Sequence, residues 1–438
     1  VIQLKNAYDS HVHWLATGAW ARRLNLKSLK SAEDILKIKH KPEHKRGDWL
    51  LGFGWDQNTW ADQNFPTREL LDRAFPGVPV FFSRADGHAF WVSTVALKRA
   101  DLFHKNAQAP EGGKILKGED GYPSGVLIDL AGSAVENLIP KADINECIRD
   151  LKAAIEIFNQ AGFTHIRDMS CDEAQWNASV TLYDRGELSL AVEQCFSADH
   201  PNDFHKALNL ALRARQKYPK LIRPHAVKIY FDGALGSEGA LLSKPYPSGS
   251  GQGLQLLERI ALKDMIREVW QHNFAVAVHA IGDEACHQVA SVAHELWEMG
   301  EDGDLHIEHA QVMRPETIQL LKGRRAFCHM QPCHFLSDQF WLKEKLGTLY
   351  EYAFPWRALE DLEIRFDFGS DSPIEVPSIK NNVEALKEAA SHDIQNIKKP
   401  WANYHSHPDT TWTPNTFTEF SQDFKVQRVS FFGKELLQ

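Results

Sequence analysis

Nowhere in this chain of 438 residues do about 18 apolar residues run together, the length a membrane-spanning helix needs. A helical membrane span is therefore not expected. There is no basic stripe either. The 49 Lys and Arg against 58 Asp and Glu leave a formal net charge of −9, which argues against nucleic acid as the main partner. Cysteine is scarce. Cys147, Cys171, Cys195, Cys286, Cys328 and Cys333 are scattered, with no CxxC pair, and read as buried thiols of a reducing compartment rather than a disulfide framework. The chain reads as cytoplasmic. A periplasmic or secreted destination stays open, because Val1 is not an initiator Met and a leader would precede it. No internal repeat or low-complexity segment stands out.

What is present is a large apolar complement, 43 % of residues, with 13 Trp and 24 Phe, enough for a sizeable core and an aromatic-walled pocket. Eight strand-like runs can be laid out: one ending at His11–His13, then 163–169, 190–196, 226–232, 275–281, 305–311, 326–331 and 365–370. Amphipathic stretches at 144–160, 203–217, 258–272, 283–299 and 315–322 fall between most of them. Strand–helix alternation implies a parallel sheet, and eight units imply an α/β fold of the (β/α)₈ TIM-like barrel type, whose chemistry lies at the C-terminal strand ends. One connection breaks the pattern. Roughly 150 residues separate the first two strands, far more than a βα loop needs. It carries strand signals at 49–55 and 78–84 and a turn-rich stretch at 112–125, so residues 40–135 read as an inserted subdomain over the barrel mouth. The barrel then occupies 1–375. Residues 376–438 form a helix near 380–392, a polar tail and a final strand at 426–432.

Six side chains able to bind a metal follow the strand runs in order: His11, His13, Lys228, His279, His309 and Asp371. The His11–His13 pair alone says little. With 21 histidines, about one His-x-His arises by chance, and a second, His405-Ser-His407, does occur. What lifts the first pair is the period of a strand, which points residues two apart to the same face.

Further motifs surround these six. They include Gly-Trp-Asp at 54–56, Phe-Pro-Thr-Arg-Glu-Leu-Leu-Asp at 65–72, Arg-Ala-Asp-Gly-His-Ala-Phe-Trp at 84–91 and Lys-Ile-Tyr-Phe-Asp-Gly-Ala-Leu-Gly-Ser at 228–237. Val-His-Ala-Ile-Gly-Asp-Glu-Ala at 278–285, Ile-Glu-His-Ala-Gln at 307–311 and Gly-Ser-Asp-Ser-Pro-Ile-Glu at 369–375 complete the set. From about Tyr8 to Glu375 the chain resembles the amidohydrolase superfamily, in its amidohydrolase-3 branch of YtcJ-like and N-substituted formamide deformylase-like proteins. Two features depart from that pattern. The family's N-terminal strands are not seen before Val1, and Tyr-His-Ser-His-Pro-Asp-Thr-Thr-Trp at 404–412 replaces the usual C-terminal helices and strand. Only a remnant of the family's small β-sandwich is therefore expected at the termini, with a homodimer as the possible assembly.

The resemblance implies that His11, His13 and Asp371 hold one ion and that His279 and His309 hold a second. It implies that Lys228, carboxylated by CO₂, bridges them. Imidazole and carboxylate ligands suit Zn²⁺ and also accept Mn²⁺, Fe²⁺ or Co²⁺. An unmodified Lys228 ammonium would repel two dications, whereas an isolated strand-end lysine more often snorkels to solvent. The implied activity is hydrolysis of a carbon–nitrogen bond, other than a peptide bond, in a small molecule. A metal-activated hydroxide attacks, and Asp371, as the catalytic residue, moves the proton. Asp371 also has a plain reading as a helix N-cap. Trp55, Asp86 and His88 in the insert, with Gln331 and His334 after the seventh strand, are candidates for substrate contact. Asp232, Asp283 and Glu308 are candidates for orienting ligands. His405 and His407 read as a surface loop, since no strand carries them. Two alternatives stand beside this reading: a mononuclear aminohydrolase, for which Glu284 would serve, and a catalytically inactive scaffold.

Overall fold

The computed structural model describes all residues except Asp86, His88, Glu111, Gly112 and Gln438, and only the backbone of Asp129. Eight parallel strands pair in sequence order: β1 Tyr8–Val12, β2 His165–Cys171, β3 Ala191–Ser197, β4 Ile222–Tyr230, β5 Ala275–Ala280, β6 Leu305–His309, β7 Ala326–Met330 and β8 Arg365–Phe368. Each lies within a few residues of the run seen in the sequence. The reason is visible in β5, Ala-Val-Ala-Val-His-Ala. A parallel strand covered on both faces reads as a continuous apolar run rather than an alternating one. The helices Phe204–Gln216, Arg259–Gln271 and Asp283–Glu298 follow β3, β4 and β5. Helix Glu173–Asp184, between β2 and β3, is additional to those expected. It has little amphipathic contrast, because polar Gln175 and Ser179 are buried among its apolar residues.

Closure of the barrel depends on the segment just past β8. The Asp371 amide donates to the His11 carbonyl and the His13 amide to the Ser372 carbonyl, each at 2.8 Å. This seam requires glycine at 369. A Cβ there would stand 2.6 Å from the His11 nitrogen.

The chain divides into two compact units, Val1–Thr17 with Leu151–Gln438, and Gly18–Asp150. The stretch 40–135 lies inside the second. That unit is built on a seven-stranded sheet in the order Leu24–Asn25, Trp49–Trp55, Val80–Arg84, Ala89–Val92, Pro123–Asp129 and Gly113–Lys117, with Lys45–Arg46 paired to Trp49–Trp55. The region read as turn-rich, 112–125, thus contributes an antiparallel pair, Gly113–Lys117 with Pro123–Asp129. Gly118, Asp120 and Gly121 lie in the hairpin connection, and these turn residues hid the short flanking strands. At the termini, Ile2–Lys5, Phe417–Phe420, Val426–Phe431 and Lys434–Leu437 make a four-stranded antiparallel sheet. Among the described residues no helix is long and apolar enough to cross a membrane. All six cysteines are buried.

One expectation is corrected. His405 and His407 are not in a surface loop; both are buried. His407 Nε2 lies 3.1 Å from Glu193 Oε1, whose other oxygen accepts from the Tyr8 hydroxyl at 2.7 Å. The His407 ring stacks on His165. His405 is held between the Trp401 carbonyl and the Asn382 amide, both at 3.0 Å. A segment without periodicity can still be buried when its polar side chains find partners; here β3 supplies Glu193 to His407, and Trp401 and Asn382 serve His405.

Both nitrogens of His405 are committed to the neutral ring, Nδ1–H donating and Nε2 accepting. Burial pushes its pKa down to about 4, against about 6.5 when unfolded. The unfolded state then binds the proton first. This contribution to stability is whole above about pH 6.5 and is lost as pH falls to 4, at about 1.4 kcal/mol per pH unit. Urea unfolding measured across that window should show His405→Gln with an acid limb shallower than wild type by about one proton. Parallel limbs would show that His405 is already titrated like an unfolded histidine.

Candidate metal centre

The candidate residues lie at or just past the C-terminal ends of the barrel strands. His11 and His13 flank the end of β1, Lys228 lies near the end of β4, His279 near the end of β5, His309 ends β6, and Asp371 follows β8. Asp371 is central. Its Oδ1 lies 3.1 Å from His13 Nε2 and 3.4 Å from His11 Nε2, while its Oδ2 lies 3.5 Å from His334 Nε2. Donor atoms of His11, His13 and Asp371 form one group within 4.8 Å, and those of His309, His334 and Asp371 form another. His279 stands outside both groups. The His279 ring nevertheless packs 4.6 Å from His309, and the His11 ring packs 4.7 Å from it on a different contact.

The backbone is bent to deliver these groups. His309, Ala310 and Asp371 have φ of 71°, 45° and 57°. Left-handed backbone in non-glycine residues costs about 1–2 kcal/mol each, and it persists where the surroundings over-determine it. Here the Ala310 amide is tied to the Ala280 carbonyl at 3.1 Å, and the Asp371 amide to His11.

Second contacts fix the rings. His11 Nδ1 lies 2.6 Å from Glu308 Oε2, and Glu308 Oε1 accepts from Arg167 Nη1 at 2.8 Å. His309 Nδ1 lies 2.8 Å from the Gln331 amide oxygen. A ring whose Nδ1–H donates to an oxygen presents the lone pair of Nε2 to the site, the tautomer a metal needs. Burial pushes His11 down to about 4, against the pull of Glu308 and Asp371, and burial with the nearby Lys228 pushes His279 down to about 3. Burial likewise lowers His309. These rings are therefore neutral near pH 7. Burial would raise Asp371, but His13, His11 and His309 hold its carboxyl well below the usual range. Lys228 is almost fully buried, its Nζ 5.0 Å over the Tyr230 ring. Burial lowers its amine, against the pull of Glu308 and Asp371.

The donor set fits a divalent metal. Nε2 of His11, His279 and His334 and Oδ1 of Asp371 are buried without a hydrogen-bond partner. Such orphans cost about 1–3 kcal/mol each unless something satisfies them. Neutral imidazoles and a carboxylate aimed at shared points are satisfied by a cation.

The other candidates are placed as follows. Trp55 is wholly buried in one core of the Gly18–Asp150 unit, its indole N–H donating to the Phe82 carbonyl at 2.9 Å. Asp86 and His88 lie outside the described residues. Gln331 is buried against His309, and its amide nitrogen donates to the His329 carbonyl. Asp232 accepts the amides of Leu241, Ile281 and Gly282 and stands 3.7 Å from His279 Nε2. Burial raises its pKa to about 7. Asp283 is held by the Ser243 amide and Arg314 rather than by an imidazole. Glu308 serves His11 rather than its sequence neighbour His309. Sequence reasoning passed over Arg167, Asp168 and Asp9. Asp168 accepts the Trp14 amide at 2.6 Å and so pins the chain just after His13. Asp9 Oδ1 accepts the Ser370 amide at 2.8 Å and so pins the approach to Asp371. Their signal was charge inside otherwise apolar strands, which a doubly covered sheet tolerates only when it is paired.

A parallel eight-stranded barrel with imidazole and carboxylate donors at its C-terminal strand ends is the architecture of a metal-binding barrel enzyme. Residues 8–383 match the sequence profile Amidohydro_3, the amidohydrolase family, and the chain belongs to that family. It is 31 % identical over 393 residues to the putative amidohydrolase YtcJ of Bacillus subtilis, covering 88 % of this chain and 73 % of YtcJ. It is 25 % identical to the protein LONG AFTER FAR-RED 3 of Arabidopsis thaliana, covering 96 % and 72 %. Its fold is shared with an uncharacterized metal-dependent hydrolase from Pyrococcus horikoshii OT3, with a TM-score of 0.72 at 23 % identity over 94 % of this chain and 79 % of that one.

Glu308→Gln keeps the size of the side chain but weakens its hold on His11 and Arg167. Chelator competition should show metal at the His11–His13–Asp371 group bound about 10–100-fold more weakly. Unchanged affinity would mean that His11 is aimed without Glu308.

Proposed function

We propose that this chain is a metal-dependent hydrolase of carbon–nitrogen bonds, amide or formamide in type and other than peptide bonds. The observation that carries it is the Asp371 carboxylate, set between histidines on both of its oxygens. The names of two similar proteins, a putative amidohydrolase and an uncharacterized metal-dependent hydrolase, support the same reading.

His11, His13 and Asp371 would hold one ion, and His279 and His309 a second. Zn²⁺ suits these donors, as do Mn²⁺, Fe²⁺ and Co²⁺. When bound, the metal polarises a carbonyl oxygen and brings the pKa of water to near 7. The chain's own residues do the rest. Asp371, ionised, accepts the proton of the attacking water and passes it to the departing nitrogen. His11, kept neutral by burial and oriented by Glu308, and His13 beside it aim their Nε2 atoms at Asp371. Lys228 is read as the bridge. Its buried amine, whose pKa burial lowers, would attack CO₂ through nitrogen in its neutral form, forming a C–N bond and releasing a proton to give an anionic carbamate. That replaces a positive charge beside two dications with a negative one. The substrate class is a neutral N-acyl or N-formyl compound with an apolar group. Exposed Phe340, Ile374 and Val376, in the segments after β7 and β8, support the apolar part.

Asp371→Asn should retain at least one ion while kcat falls by about 10²–10⁴-fold, as general-base loss does. A panel of formamides, N-acyl amino acids, lactones and phosphotriesters reads the bond type. Turnover confined to lactones or phosphotriesters would refute the carbon–nitrogen assignment. Lys228→Ala should lose activity and regain part of it with a short-chain carboxylate. One ion per chain and no CO₂ adduct in the native mass would instead favour the mononuclear aminohydrolase, and no ion at all the inactive scaffold.

A further inference from the structure

We propose that Arg22, Arg23 and Arg46 form a binding site for a small inorganic oxyanion of the phosphate or sulfate type, inside the Gly18–Asp150 unit. The site is separate from the metal centre and does not depend on the hydrolase reading.

The three guanidinium groups come from two places in the sequence. Arg22 and Arg23 follow the helix Trp14–Ala21, and Arg46 ends the short strand Lys45–Arg46. All three line one small pocket. A single carboxylate is free to balance them. Asp150 accepts from Arg22 Nη1 at 2.6 Å and stands 3.7 Å from Arg46 Nη2, too far for a hydrogen bond. The other two acids of the pocket are committed elsewhere. Glu146 Oε2 accepts the Asp143 amide at 3.1 Å, and Glu43 lies 3.5 Å from Lys41 Nζ. The Arg23 guanidinium rests 5.9 Å from the centre of the Trp20 ring, which offers it no acceptor atom. The Nε atoms of Arg23 and Arg46 are both buried without a hydrogen-bond partner.

A guanidinium on a hydrated surface keeps its N–H groups in water, so a basic patch by itself would not leave these two orphaned. A buried donor without a partner is costly, and so is one cation packed beside another. Burial and the neighbouring Arg46 push Arg23 down to about 10, so it remains charged near pH 7. One anion seated between Arg23 and Arg46 removes both costs. The fixed N–H directions of a guanidinium match the oxygens of phosphate and sulfate. Size narrows the class further. Sites for organic ligands run to about 300–1,000 Å³, and this pocket is far smaller, which leaves a single ion rather than a nucleotide or a peptide.

The test measures thermal midpoint and binding heat with potassium phosphate, sulfate or chloride at one fixed ionic strength. The proteins are wild type, Arg23→Gln, Arg46→Gln, Arg23→Lys and Arg185→Gln. Arg185 is exposed and lies outside the pocket, so its variant is the control. Phosphate and sulfate stabilise proteins that have no site for them. The readout is therefore saturation, and the difference between variants. Wild type and Arg185→Gln should each bind one phosphate or sulfate per chain with a saturable rise in Tm. Arg23→Gln and Arg46→Gln should bind about 10–100-fold more weakly, the worth of a charge-assisted hydrogen bond. Arg23→Lys keeps the charge without the fork and should fall between; it replaces Arg23→Gln if that variant does not fold. A rise that never saturates and is equal in every protein would mean an adventitious ion only and would overturn the site. Saturable binding that the Arg23 and Arg46 variants leave unchanged would place the anion elsewhere, with the same consequence. Chloride bound as tightly as phosphate would overturn the oxyanion class.

Discussion

The metal end of the barrel hangs on one buried ion pair. Arg167 and Glu308 face each other at 2.8 Å with both side chains excluded from water. Such a pair adds little net stability, because desolvation offsets most of the attraction. Removing one partner, however, typically costs about 3–5 kcal/mol. Its value lies in direction. Glu308 spends one oxygen on Arg167 and the other on His11, so the imidazole has one orientation and one tautomer. Arg167 also reaches the Ser10 carbonyl at 3.4 Å. Strands β1, β2 and β6 are thereby tied together beneath the donors. Burial opposes the charged form of Glu308, yet Arg167, His329 and His11 hold its carboxyl well below the usual range, so the tie stays ionised.

Strain sits just beyond that tie. His309, Ala310 and Asp371 are left-handed, although the ligand-bearing ends of β4 and β5 show no such bend. The difference follows from where the donors must point. A strand carries alternate side chains to opposite faces, so a residue beyond the last strand pair needs a turned backbone to face the same centre as His11. Gly369 makes the turn possible by letting the chain run against His11 without a Cβ. A centre assembled in this way is rigid in the one direction that ligand geometry requires.

The barrel itself was legible because its strands are doubly buried and therefore uninterruptedly apolar. The donors were legible because each stands where such a run ends. What escaped was whatever depended on chain segments meeting across the barrel. Arg167 and Asp168 in Phe-Thr-His-Ile-Arg-Asp-Met looked like ordinary strand residues until Glu308 and the Trp14 amide were seen opposite them. The terminal sheet escaped in part because Ile2–Lys5 pairs with Phe417–Phe420, more than 400 residues away in sequence, a register no local pattern encodes. His334 was read as a pocket residue. Its distance to Asp371 depends on the helix geometry after Pro332, and spacing alone does not fix that.

The 21 histidines show what separates a donor from a packing residue. Count, burial and low basicity do not. His405 is as buried as His11, and both are pushed down to about 4. The difference lies in the second nitrogen. His405 has both nitrogens bonded, to Trp401 and Asn382, and His165 has both bonded, to Thr164 and Thr413. In His11, Nδ1 is bonded and Nε2 is not. A free nitrogen is still not enough, since His306 and His329 bond each other at 2.8 Å and each keeps one unpartnered nitrogen. Among the described residues, only the groups around Asp371 bring three donors within reach of one another. A buried imidazole becomes a ligand candidate when one nitrogen is tied back and the other converges with a carboxylate. The barrel meets that condition at its C-terminal strand ends, while His407 uses its nitrogens, on Glu193 and the Asp409 amide, to hold the C-terminal tail in place.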